Sequence, residues 1–122
     1  MNFIERLELS AYADDESVGI AAVQANELPE PLLDDRWAYI PEPLWRRLLG
    51  LGGAYNLHFP QIAEPIVDTV LNPIQCQSFC EELEFLRGVV LDAAVHTAID
   101  TIVSKATVVM RDTSLRLVVS PP

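Results

Sequence analysis

The sequence predicts an α+β fold, an antiparallel sheet of about four to five strands with two C-terminal helices packed on one face. Three observations carry this expectation. Short runs of period-two alternation crowd the N-terminal half, two long stretches of helical period follow, and a last alternating run closes the chain. Strands that come first and helices that come later favour an antiparallel sheet over βαβ crossovers. With 122 residues the chain has a common size for one domain, so a single unit over residues 1–122 is expected. Half of the residues are hydrophobic, which excludes a disordered chain.

Taken in order, residues 3–12 place Phe3, Leu7, Leu9 and Ala11 on one face and Ile4, Arg6, Glu8 and Ser10 on the other, a half-buried strand. Glu5 is the one acid on its apolar side. Asp14, Asp15, Glu16 and Ser17 make a polar turn, and Val18 to Gln24 return as a second strand in a hairpin. Gly19 and the alanines leave a short buried helix as the other reading of that stretch. Residues 26–36, with Pro29 and Pro31 among acids, read as an extended connection. Trp37 to Ile40 is a short apolar piece ended by Pro41. Glu42 to Leu49 suits a two-turn helix with Pro43 in its first turn, and Gly50, Gly52 and Gly53 are expected to stop it. Tyr55, Leu57 and Phe59 alternate with Asn56 and His58 as a third strand, and Ile66 to Leu71 make a fourth between Pro65 and Pro73.

The strongest signal begins at Asn72. Asn72 can cap, Pro73 takes the first helical position, and Gln75 stands where a capping box wants it. Cys76, Phe79, Leu83, Leu86 and Val90 then form an amphipathic stripe, with Glu81, Glu82 and Glu84 largely off it. Gly88 weakens the end, Asp92 starts a second helix, and Val95, Ile99, Ile102, Val103, Ala106 and Met110 keep its period. Arg111 to Ser114 turn, and Leu115 to Val119 form the closing strand.

Composition narrows the class of function. No apolar run reaches the roughly 18 residues of a membrane helix. The opening Met1-Asn2-Phe3-Ile4-Glu5-Arg6 lacks the basic-then-apolar block of a signal peptide. Cys76 and Cys80 are too few for a secreted disulfide framework, so a cytoplasmic location is expected. Eighteen acids against eight bases give a net charge of −10, and Lys105 is the single lysine. Such a surface repels phosphate and disfavours nucleic acid. It would instead steer a basic protein partner inward, or serve solubility alone.

Three sets of chemistry-bearing residues merit weighing. Cys76 and Cys80 with His58 and His96 could offer zinc two sulfurs and two nitrogens. Both thiols, however, sit one turn apart on the apolar side of a helix, where cysteine packs as a small hydrophobe. Neither thiol is accompanied by the His and Asn/Asp pattern of a cysteine nucleophile. His96 shares a helix face with Asp92 and Asp100, an arrangement for an oriented base or for a solvated surface. The solvated surface is the expected reading, and His58 is expected to point outward from its strand. Asp14, Asp15 and Glu16, with Glu27 beyond them, fail as a calcium loop because Val18 and Ile20 to Val23 fill the intervening ligand positions. Phosphate loops, dinucleotide fingerprints, nucleophile elbows and HExxH do not occur in the sequence, and no cofactor or metal is expected.

The densest feature is charge. Asp14, Asp15, Glu16, Glu27, Glu30, Asp34 and Asp35 fall within residues 14–35, which contain no base, and Trp37, Tyr39 and Trp45 follow. Aromatic side chains beside a charged rim are typical of interface hot spots, so these seven acids with Trp37 and Tyr39 form the expected partner-binding set. The alternative places Trp37 and Trp45 as plugs at one end of the core.

In size, acidity and lack of an active-site motif the chain resembles the small acidic immunity proteins that bacteria pair with secreted toxins. Asn72-Pro73 leading into Phe79-Cys80-Glu81-Glu82-Leu83, then a second helix and a short strand, echoes them over roughly the last 50 residues. The resemblance implies a non-enzymatic inhibitor that docks on a basic toxin and blocks its active site, and it assigns no residue roles. Acidic secretion chaperones or adaptors share the size and charge, but they usually open with a helix. A small enzyme assembled from His58, Asp68 and His96 is the third reading. Self-association as a homodimer is compatible with each. A toxin-like neighbouring reading frame favours the first reading, a secretion locus the second and a metabolic operon the third.

Overall fold

Backbone preference and local hydrogen bonding start the elements, and burial against the sheet fixes where they end. The computed structural model describes residues 17–25, 37–62 and 68–120. In chain order they form β1 (Ser17–Gln24), β2 (Ala38–Pro41), α1 (Glu42–Ala54), α2 (Phe59–Ile62), β3 (Thr69–Leu71), α3 (Pro73–Val89), α4 (Ala93–Arg111) and β4 (Leu115–Ser120). The four strands form one sheet in the order β2-β1-β4-β3, antiparallel at every pairing. The α+β class is therefore observed.

Register decides which side chains meet. β1 and β4 lie side by side from Gly19↔Ser120 to Gln24↔Leu115, and β2 pairs with β1 from Ser17↔Pro41 to Ile20↔Ala38. Alternation then sends Val18, Ile20, Ile40, Leu71, Leu117 and Val119 to one face, where they join the main core. On that face α1 packs over β2 and β1, α4 over β1 and β4, and α3 over β4 and β3. Three helices, rather than the two C-terminal ones alone, cover the sheet. The expected strand at 3–12, its hairpin with Val18–Gln24, and the extended stretch at 26–36 lie outside the described residues.

The C-terminal helices begin where the sequence signals them. Asn72 Oδ1 accepts from Gln75 N at 2.8 Å and Gln75 Oε1 accepts from Asn72 N at 2.9 Å, a complete capping box. Asp92 Oδ1 accepts from Ala94 N and Val95 N at 3.0 and 3.2 Å, capping α4. α4 tolerates its β-branched residues because Val95, Ile99, Ile102 and Val109 are buried. Thr97, Thr101 and Thr107 return their hydroxyl protons to carbonyls one turn back.

Residues 50–59 depart from expectation. α1 runs through Gly50, Gly52 and Gly53 to Ala54, and no strand forms at Tyr55–Phe59. Asn56 takes φ 60°, with Asn56 N donating to Gly53 O at 3.1 Å and Leu57 N to Gly52 O at 2.9 Å, a Schellman motif with Asn in the left-handed position. Gly52 persists inside the helix because Phe59 folds back over it. A Cβ at Gly52 would lie 2.6 Å from Phe59 Cζ. The fully buried Phe59 packs on Phe79 with ring centroids 5.3 Å apart. Tertiary packing here overrides both a helix-stop signal and an alternation signal. Conversely, the short apolar piece before Pro41 is a true strand, β2, because β1 offers it a ladder.

Candidate functional site

The face of the sheet opposite the helices carries the described part of the expected partner-binding set, Trp37 and Tyr39. Gly19, Ala21, Val23, Val118, Trp37 and Tyr39 fall there by alternation. Ala21, Val23, Trp37 and Val118 form a small second cluster separate from the main core. A Cβ at Gly19 would sit 2.7 Å from Trp37 Cε3 and 3.6 Å from Tyr39 Cε1, so both rings meet over this glycine. Trp37 is 6% exposed and Tyr39 52%. Tyr39 is thus half-exposed on β2, the outermost of the described strands, with the buried Trp37 beside it. The acids Asp14, Asp15, Glu16, Glu27, Glu30, Asp34 and Asp35 lie outside the described residues.

Trp45 belongs to the main core and is fully buried. Among the described residues the indole N–H groups of Trp37 and Trp45 have no hydrogen-bond partner, a cost of about 1–3 kcal/mol each that ring burial must outweigh. These indoles therefore serve the fold by bulk.

The titratable residues weighed from sequence have separate neighbours. His58 is exposed, as expected, but in a loop. The Glu82 carboxylate holds that loop, accepting from His58 N at 2.6 Å and Phe59 N at 2.8 Å, with His58 Nδ1 at 3.2 Å. Glu82 is therefore a cap for α2 rather than a free acid on the outer face of α3. His96 is not on a solvated acidic face. It is half-buried, and its Nε2 contacts the Val90 carbonyl, tying the first turn of α4 to the end of α3. Asp92 is buried at 7% side-chain exposure, with Oδ2 against the Arg47 guanidinium as an ion pair. Asp100 pairs with Arg87 of α3. That contact, more than the surrounding charge, raises the Arg87 pKa. Asp68 accepts from the Ser120 hydroxyl at 2.7 Å. Among the described residues, no hydrogen bond or ion pair joins His58, Asp68 and His96 to one another.

Cys76 and Cys80 are buried free thiols. Burial first, then the neighbouring Cys80, pushes the Cys76 pKa up to about 12, while Arg116 opposes. Burial first, then Glu84, also raises Cys80. Both therefore remain protonated at neutral pH and pack as hydrophobes. Among the described residues no three His, Cys, Asp or Glu side chains gather as metal ligands, and no helix is long and apolar enough to cross a membrane.

The sequence reading missed a second surface. Tyr55, Phe85, Val89 and Leu91 are 43%, 48%, 43% and 97% exposed. Tyr55 and Phe85 meet edge to face at 5.7 Å. Phe85 and Val89 stand one turn apart, opposite the buried stripe of α3. A second apolar row at helical spacing was the available signal. No protein-family model matches the chain, and no curated protein or solved structure matches it.

Proposed function

We propose that this chain is a protein-binding module of the immunity or inhibitor type, which docks on and neutralises a basic partner such as a toxin. The observation that carries the reading is the run of seven acids without a base over residues 14–35, leading to the half-exposed Tyr39. Charges at an interface rim raise association rates through long-range steering, and a surface aromatic desolvated at contact slows dissociation. The division of labour sets the test. A partner recovered by the isolated protein is measured kinetically in a salt series. Neutralising Asp14, Asp15, Asp34 and Asp35 together should slow association at low salt and flatten its salt dependence, because the Debye length falls to about 8 Å at physiological ionic strength. Tyr39→Ala should raise the dissociation rate by an amount worth about 2 kcal/mol if the ring is a hot spot. Trp37 is a poor probe because its truncation would also disturb the buried cluster over Gly19. Unchanged association at low salt for the quadruple variant would refute the acidic segment as the steering surface.

A further inference from the structure

A surface helix ordinarily buries one stripe and turns charge outward. α3 buries Cys76, Phe79, Cys80, Leu83 and Leu86, yet it also directs Phe85 and Val89 to solvent. Tyr55 abuts Phe85 from the end of α1, and Leu91, two residues after Val89 in the chain, is 97% exposed. Tyr55 and Phe85 come from separate parts of the chain and meet here, and successive turns of α3 are about 5.4 Å apart. Single exposed hydrophobes need no explanation, but a contiguous set with an aromatic pair marks interaction surfaces.

Charge and size select the occupant. Glu81 and Glu84 are exposed on the same helix, and Glu81 has only the Gln77 amide, at 3.5 Å, as a described partner. The nearby cation, Arg87, is already engaged by Glu84 and Asp100. The rim is thus left acidic. A second copy would bring another chain of net charge −10 against it. With a large aromatic contributing roughly 150–250 Å² when wholly buried, four side chains at these exposures present a few hundred Å². That falls short of the roughly 800 Å² per partner of a standard protein interface. It suits a single amphipathic segment laid along α3.

We propose that the outer face of α3, with Tyr55 and Leu91, docks a basic amphipathic helix of the partner, its apolar stripe on Phe85 and Val89 and its Lys or Arg residues on Glu81 and Glu84. This rests on the reading of a basic protein partner and names the element of it that is bound.

The test uses the full chain and three labelled helical peptides sharing one Leu stripe, with polar faces of Lys/Arg, Gln or Glu. The basic peptide should bind, and the other two should bind at least tenfold more weakly. Phe85→Ser with Val89→Ser should weaken the basic peptide at least tenfold. These residues lie outside the core, so the melting temperature should be kept, and circular dichroism checks it. Glu81→Gln with Glu84→Gln should mainly slow association. Equal binding of the basic and neutral peptides overturns the proposal, as does failure of all three to bind. A dimer in sedimentation that Phe85→Ser dissolves also overturns it and makes a second copy the occupant. Binding that ignores the Phe85 and Val89 changes but falls when Asp14, Asp15, Asp34 and Asp35 are neutralised refutes this face while leaving the basic-partner reading standing.

Discussion

Glu82 offers the sharpest test of the structure, because its place in the sequence predicts almost nothing at stake. On the polar side of α3, a truncation to Ala should change stability by less than about 0.5 kcal/mol. In the structure its carboxylate accepts two backbone N–H groups that α2 cannot satisfy internally, at 2.6 Å from His58 N and 2.8 Å from Phe59 N. A hydrogen bond to a charged acceptor nets about 1.5–3 kcal/mol, and loss of a helix cap costs about 0.5–2 kcal/mol. His58 N is exposed and regains water, whereas Phe59 N is part-buried and recovers less. The expected loss for Glu82→Ala is therefore about 2 kcal/mol, or roughly 5–10 °C in melting temperature. Urea unfolding followed by far-UV circular dichroism measures it, with an unchanged slope confirming a pure stability effect. Glu82→Gln keeps one acceptor oxygen and should lose about half as much. Glu81→Ala, one residue away and exposed, should stay within about 0.5 kcal/mol, and Leu83→Ala should lose about 2–5 kcal/mol from the core. A Glu82→Ala variant as stable as Glu81→Ala would show that this carboxylate does not hold the 55–59 loop.

Three further tests address the other elements. Gly50 and Gly53 have open space where a Cβ would go, whereas Gly52 faces the Phe59 and Pro60 rings at 2.6–2.8 Å; Gly50→Ala should stabilise by about 0.4–1 kcal/mol, and Gly52→Ala should destabilise, both read by thermal melts. Asp92→Asn keeps a capping oxygen and should cost less than about 1 kcal/mol, because Arg47 is 47% exposed and rehydrates. Asp92→Ala loses cap and pair together and should cost about 2–3 kcal/mol, so equal losses would assign the effect to the ion pair alone. With its pKa near 12, Cys76 holds only about one thiolate in ten thousand at pH 8, so a thiol reagent should modify it far more slowly in the folded protein than in urea; equal rates would refute its burial.

Several elements were legible because local chemistry decides them. The Asn72–Gln75 box, the Asp92 cap, the buried periodicity of α3 and α4 and the strand β4 depend on residues within a few positions of one another. The same holds for the net charge of −10 and the acidic run that carries the functional proposal. Other features needed the folded chain because their causes lie far apart in sequence. Gly52 continues α1 instead of ending it because Phe59 returns over it and Glu82, 23 residues further on, fixes that return. Residues 38–41 are a strand because β1 presents a ladder, and Trp37 is buried because Gly19 leaves room above it. His96 leaves the solvated face because the Val90 carbonyl is within reach once α3 ends. The outer row on α3 could be counted in the sequence, but its contact with Tyr55 could not. Periodicity separates the two sides of a helix without saying which neighbours arrive at either, and only tertiary packing decides which side is covered.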